Sequence, residues 1–158
     1  MNKVNQMAQN EKLMDALQAI VTNLSQQADG HALESRILAS KGYAKLADKY
    51  AEHAAEERGY VEKIADRILD LGGVLSNDQK EPMPLCENPV EWVKIDLKIS
   101  VEGLSALKKI MCLAVEDVTT YDILKDYYKD EEEDMYWGEQ QLELIEAIGV
   151  QNWLVQQL

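Results

Sequence analysis

Residues Glu52 to Gly73 read EHAAEERGYVEKIADRILDLGG. Val61, Ile64, Ile68 and Leu71 recur at spacings of three and four, the period of an amphipathic helix, and the paired glycines stop it. Carried backwards, the same stripe takes in Leu46, Tyr50, Ala54 and Glu57. Glu57 is therefore a carboxylate on a face that is otherwise apolar. Three residues later, where a helical metal site usually supplies histidine, the chain has Tyr60.

Three further helices follow from the same period. Leu13, Leu17, Ile20, Val21, Leu24, Ala28, His31 and Leu38 form one stripe, which SKGY ends at Gly42. A third carries Trp92, Asp96, Ile99, Gly103, Leu107 and Ile110, with Asn88 as N-cap and Pro89 at the first turn. A fourth starts near Thr119 or Thr120 and carries Leu124, Tyr127, Glu131, Asp134, Gly138, Leu142 and Ile145. Gly149 closes it, and GVQNWLVQQL adds a short terminal helix. No strand pattern competes and no internal repeat of fixed period is visible.

Two short links and one long connection, VLSNDQKEPMPLCENP, describe an all-α, up-down-down-up four-helix bundle of the ferritin-like kind, with a crossover between helices two and three. Such bundles build metal sites from inward glutamates and Glu-x-x-His pairs. One domain over residues 1–158 is expected from length.

Composition excludes several classes. A formal net charge of −13 leaves no basic stripe for phosphate contacts, so nucleic acid is not an expected partner. No apolar run reaches membrane-spanning length, and the polar start MNKVNQMAQNEK lacks a signal-peptide core, so a cytoplasmic protein without a membrane partner is expected. Cys86 and Cys112 read as reduced thiols. The densest acidic run, DEEEDMYWGE from Asp130 to Glu139, reads as a solvated face or as a surface that attracts cations.

The stretches KGYAKLADKYAEHAAEE, IADRILDLGG, IDLKISVEG and DEEEDMYWGEQQLELIEAIGVQNWL resemble the bacterioferritin family, and the resemblance covers nearly the whole chain. It implies a hollow cage, expected to be a twenty-four-subunit shell whose pores are lined by the closing IEAIGVQNWL. It also implies iron storage and a dinuclear ferroxidase centre. Transferred position by position, the family's ligands fall on Leu24, Glu57, Tyr60, Ser100, Glu131 and Asp134. The two bridging carboxylates, Glu57 and Glu131, are kept, and both terminal glutamates and both histidines are replaced. The haem-ligating methionine position is Arg58, which has no lone pair for iron, so haem is not expected.

Three readings stand on these residues. The first, which is preferred, is a cage subunit that stores iron around a degenerate centre, either working with a second, active subunit type in mixed shells or relying on spontaneous oxidation. The second is a remodelled ferroxidase using Glu57, Glu131 and Asp134 with His31 and Tyr60. The third is an assembly subunit without metal. Without metal, Glu57 and Glu131 are expected to form a buried polar knot, with a proton on one of them or a hydrogen bond from His31 or Tyr60. A separate weak cation site is expected from Glu52, His53 and Glu56, read as one acidic turn beside the core stripe and facing the cavity of a cage.

Overall fold

The computed structural model describes residues 3–158, with side chains for residue 7 and residues 9–158; Met1 and Asn2 of the polar start lie outside the described residues. Five helices follow in order: α1 (Lys3–Ser40), α2 (Ala44–Asp70), α3 (Pro89–Leu113), α4 (Val118–Ile148) and α5 (Val150–Gln156). No strand occurs among the described residues. None of these helices is long and apolar enough to cross a membrane. The first helix begins at Lys3 rather than at Leu13, because the polar residues ahead of the apolar stripe continue its turns at the end of the bundle.

α1 pairs with α2 and α3 with α4, each pair joined by a short turn. Between them, residues 71–88 run along α1 from one end of the bundle to the other. Near the start, Gln18 bonds both ways with the backbone of Ser76, at 3.0 and 3.1 Å. Midway, the crossover lays Met83 against α1 so closely that a Cβ at Gly30 would lie 2.2 Å from Met83 Sδ and the methionine side chain would have to shift. At its end, Cys86 N–H donates to Glu34 Oε2 at 3.0 Å. This path brings α3 back parallel to α2, the up-down-down-up order of a ferritin-like bundle.

Polar ties fix the helix ends. Asn88 Oδ1 accepts from Val90 N–H and Glu91 N–H and starts α3. Asp117 caps α4 by accepting from Thr120 N–H at 3.1 Å, and it receives Arg67 of α2 at 2.8 and 2.9 Å. Gly149, at φ +83°, turns the chain sharply between α4 and α5. α5 then folds onto the bundle end: Trp153 is fully buried, its indole N–H donates to Gln141 Oε1, and Gln157 C=O accepts from Lys45 N–H.

The apolar core is split in two. One cluster holds Leu13, Leu17, Leu24, Ile64, Ile68, Leu107 and Leu124; the other holds Leu38, Leu46, Tyr50, Trp92, Val93 and Trp153. Between these clusters each long helix carries buried polar residues: His31, Glu34 and Ser35 on α1, His53 and Glu57 on α2, Asp96 and Ser100 on α3, and Glu131 on α4. This polar layer is the candidate site.

Two expected stripes are corrected by one residue. On α2 the inward position is His53, not Ala54, and on α3 it is Ser100 and Leu104, not Ile99 and Gly103. A stripe containing two small or polar residues in succession carries too little apolar signal to fix its phase.

Candidate metal centre

His31 stands in the middle of the polar layer. Its Nδ1 lies 2.8 Å from Glu57 Oε2 and its Nε2 lies 2.8 Å from Asp96 Oδ1, so one imidazole joins three helices. All three side chains are buried, at 3%, 4% and 6% relative exposure. Burial opposes a charge on the ring, but the hydrogen bonds to Asp96 and Glu57 outweigh it and hold the His31 pKa well above its usual value. Burial pushes Glu57 up, against the pull of its bond to His31.

Glu131 faces this group from α4 and is 6% exposed. Burial, then the carboxylates of Glu57 and Asp134, push it well above the ordinary carboxylate range, with His31 pulling the other way. Two buried carboxylates compete for one cationic partner, and His31 bonds to only one of them.

Asp134 belongs to a different pair. Its Oδ1 lies 2.8 Å from His53 Nε2 and 3.7 Å from Lys49 Nζ. The His53 contact lies off the direction of a hydrogen bond, leaving Nε2 without a properly aligned partner. His53 itself is 2% exposed, packed against Tyr50 at 5.4 Å and Trp137 at 6.1 Å between ring centres. The expected surface turn of Glu52, His53 and Glu56 is therefore corrected: Glu52 and Glu56 are exposed, whereas His53 points into the core. The reason is the phase of α2, which turns position 53 inward together with Tyr50 and Glu57.

Tyr60 is half-buried and packs against the apolar cluster, its ring 5.2 Å from that of Tyr127. Burial and the carboxylates of Asp130, Asp126 and Glu56 push its hydroxyl up to about 12. Leu24 is buried in the same cluster and Ser100 lies in the polar layer. Arg58 is half-exposed and pairs with Asp29 of α1.

Sequence reasoning named His31, Glu57, Glu131 and Asp134 but missed two carboxylates. Asp96 had a visible signal, a lone acid on the third-helix stripe. Glu34, fully buried one turn beyond His31, lies between His31 and Leu38 on the inward face of α1, and that spacing would have found it. Four buried polar atoms around this layer have no aligned partner: Glu34 Oε1, Tyr50 OH, His53 Nε2 and Trp92 Nε1.

The donor set does not fit the dinuclear iron group that the resemblance implies. Leu24 offers no oxygen, and both ring nitrogens of His31 are engaged with carboxylates. Asp134 is turned toward His53 and Lys49. Among the described residues, no three His, Cys, Asp or Glu side chains are grouped to hold a metal ion. Paired glutamates without further oxygen or imidazole ligands leave most of the positions of two irons unfilled.

Residues 11–148 match the family described as a ferritin-like domain. The bacterial ferritin of Neisseria meningitidis serogroup B is 33% identical over 152 residues, which cover 94% of this chain and 98% of that protein. A bacterial ferritin of Pseudomonas aeruginosa is 31% identical, covering 93% and 97%. The bacterioferritin of Rhodobacter capsulatus is 30% identical, covering 90% and 88%.

Proposed function

Because the chain belongs to the bacterioferritin family of ferritin-like proteins, we propose that it is a subunit of a hollow iron-storage shell whose own dinuclear oxidase centre is degenerate. The observation that carries this reading is the donor set of the polar layer. The only two carboxylates kept at bridging positions are Glu57 and Glu131, and Glu57 is already bonded to His31. Iron is cargo on this reading, oxidised by a second, active subunit type in a mixed shell or spontaneously by oxygen. A haem ligand is not expected at the dimer contact, where Arg58 stands in place of methionine.

The acidic face of α2 and α4 supports the storage role. Burial, then the carboxylates of Asp130 and Asp134, raise the pKa of Glu56, and burial, then Asp134 and Glu133, raise that of Asp130. Carboxylates crowded in this way gain from a cation nearby, and on the cavity side of a shell they would concentrate ferrous iron. The exposed apolar residues Val150, Val155 and Leu158 around α5 suit burial against symmetry-related copies.

The test is to load the purified protein with ferrous iron in air while following particle mass, bound iron and oxidation rate. The expected result is a twenty-four-subunit particle that oxidises iron slowly, retains it, and speeds up when co-assembled with an active bacterioferritin subunit. Rapid oxidation of about two irons per subunit would instead identify a remodelled oxidase. A shell that retains no iron would leave an assembly subunit.

A further inference from the structure

We propose that His31 is a built-in cross-brace that occupies the bundle centre in place of a metal ion, tying Glu57 of α2 and Asp96 of α3 to α1 and denying Glu57 to any cation. The proposal rests on the reading of a degenerate centre, and is independent of whether the shell stores iron.

The geometry carries it. A metal ion in this kind of bundle cross-links facing helices through inward carboxylates. Here the cross-link is made by one imidazole with a carboxylate at 2.8 Å from each nitrogen, at the short end of the N–H···O range. A histidine ligates metal only through a free ring lone pair. With a carboxylate on both sides, each nitrogen either donates its N–H or accepts from a protonated carboxyl, and no lone pair is left in either case. The group is also closed to exchange. His31, Glu57 and Asp96 are all buried, and the nearby Lys49 is taken up with Asp134 and the face of Trp137. Drawing Glu57 away to a metal would strand a buried charge on His31 or Asp96.

The positions around the brace agree with it. The apolar side chain of Leu24 lies two helical turns away on α1, and the aromatic rings of Tyr50 and Trp92 stand 5.6 and 5.9 Å from the imidazole, centre to centre. These rings fix the plane of His31 between its two carboxylates and exclude water from them.

Cobalt(II) tests the proposal, because its visible absorption and its effect on melting report binding without any oxidation step. Metal-free protein is titrated with cobalt(II) and melted with and without it, alongside Glu57→Gln, His31→Gln and Asp96→Asn. The expected result is that wild type shows no cobalt uptake, and no rise of melting temperature with cobalt, that depends on Glu57. Both His31→Gln and Asp96→Asn are expected to melt lower by roughly 5–10 °C. Stoichiometric cobalt uptake that raises the melting temperature and disappears in Glu57→Gln would overturn the brace, and the wild-type titration decides this even if a variant fails to fold. A His31→Gln protein that melts as wild type does would overturn it equally. Iron retention with Glu57-dependent cobalt binding would keep storage and discard the brace; no iron retention without such binding would do the reverse.

Discussion

Glu34 and His31 are one helical turn apart on α1, yet the polar layer treats them differently. His31 has a carboxylate on each nitrogen, while Glu34 accepts a single hydrogen bond, from Cys86 N–H, and its other oxygen has no partner. Burial raises the Glu34 pKa, only partly offset by that bond and by His31. A carboxylate raised in the folded state loses stability as pH climbs from its unfolded value through its folded one. Glu34→Gln keeps an acceptor for Cys86 and removes the charge. It should therefore melt higher than wild type at pH 8, with the difference fading toward pH 4. Equal melting curves at both pH values would show that Glu34 ionises without strain.

At the scale of the element, the caps and the crossover decide how the long helices meet. Asp117 starts α4 and holds Arg67 of α2, so one carboxylate ties the end of one hairpin to the turn of the other. Although burial opposes it, hydrogen bonds from Thr120 and Arg67 hold the Asp117 pKa below its ordinary value. A depressed carboxylate stabilises above its unfolded pKa and loses that contribution as pH falls through the folded one. Asp117→Ala should cost about 1–2 kcal/mol near neutral pH, measured by urea denaturation, and the deficit should shrink below about pH 4. A deficit that persists in acid would assign the cost to packing alone. The crossover needed no such tuning to be legible: Pro and Asn residues around a region without period mark it, and α3 begins at the Asn88–Pro89 pair that the spacing predicts.

Taken as a whole, the molecule is two apolar clusters with a polar layer between them, closed at one end by α5. Trp153 supplies the largest side chain of that closure and is fully buried, with its indole N–H satisfied by Gln141. Trp153→Ala should cost about 3–5 kcal/mol and release α5 from the bundle end. Size-exclusion chromatography with denaturant melts would read both: expected are a lower midpoint and loss of large particles. A stable, fully assembled Trp153→Ala protein would show that α5 contributes neither to the core nor to assembly.

Helix order, the crossover and the terminal helix were legible in the chain itself, because a 3.6-residue period, glycine stops and Asn-Pro starts are local signals. The residue types at the positions that the resemblance assigns to iron ligands, Leu24, Tyr60 and Ser100 among them, were readable there too. Partnership in the polar layer was not legible. Glu57 could be assigned to a metal, to a proton or to His31 from spacing alone, and only the packing of α1 against α3 brought Asp96 to the far side of the imidazole. His53 shows the same limit: a phase error of one residue on α2 moves a histidine from the surface to the core. Local periodicity fixes which face of a helix is apolar, but which buried polar groups meet depends on distances between helices, and only the folded bundle sets those.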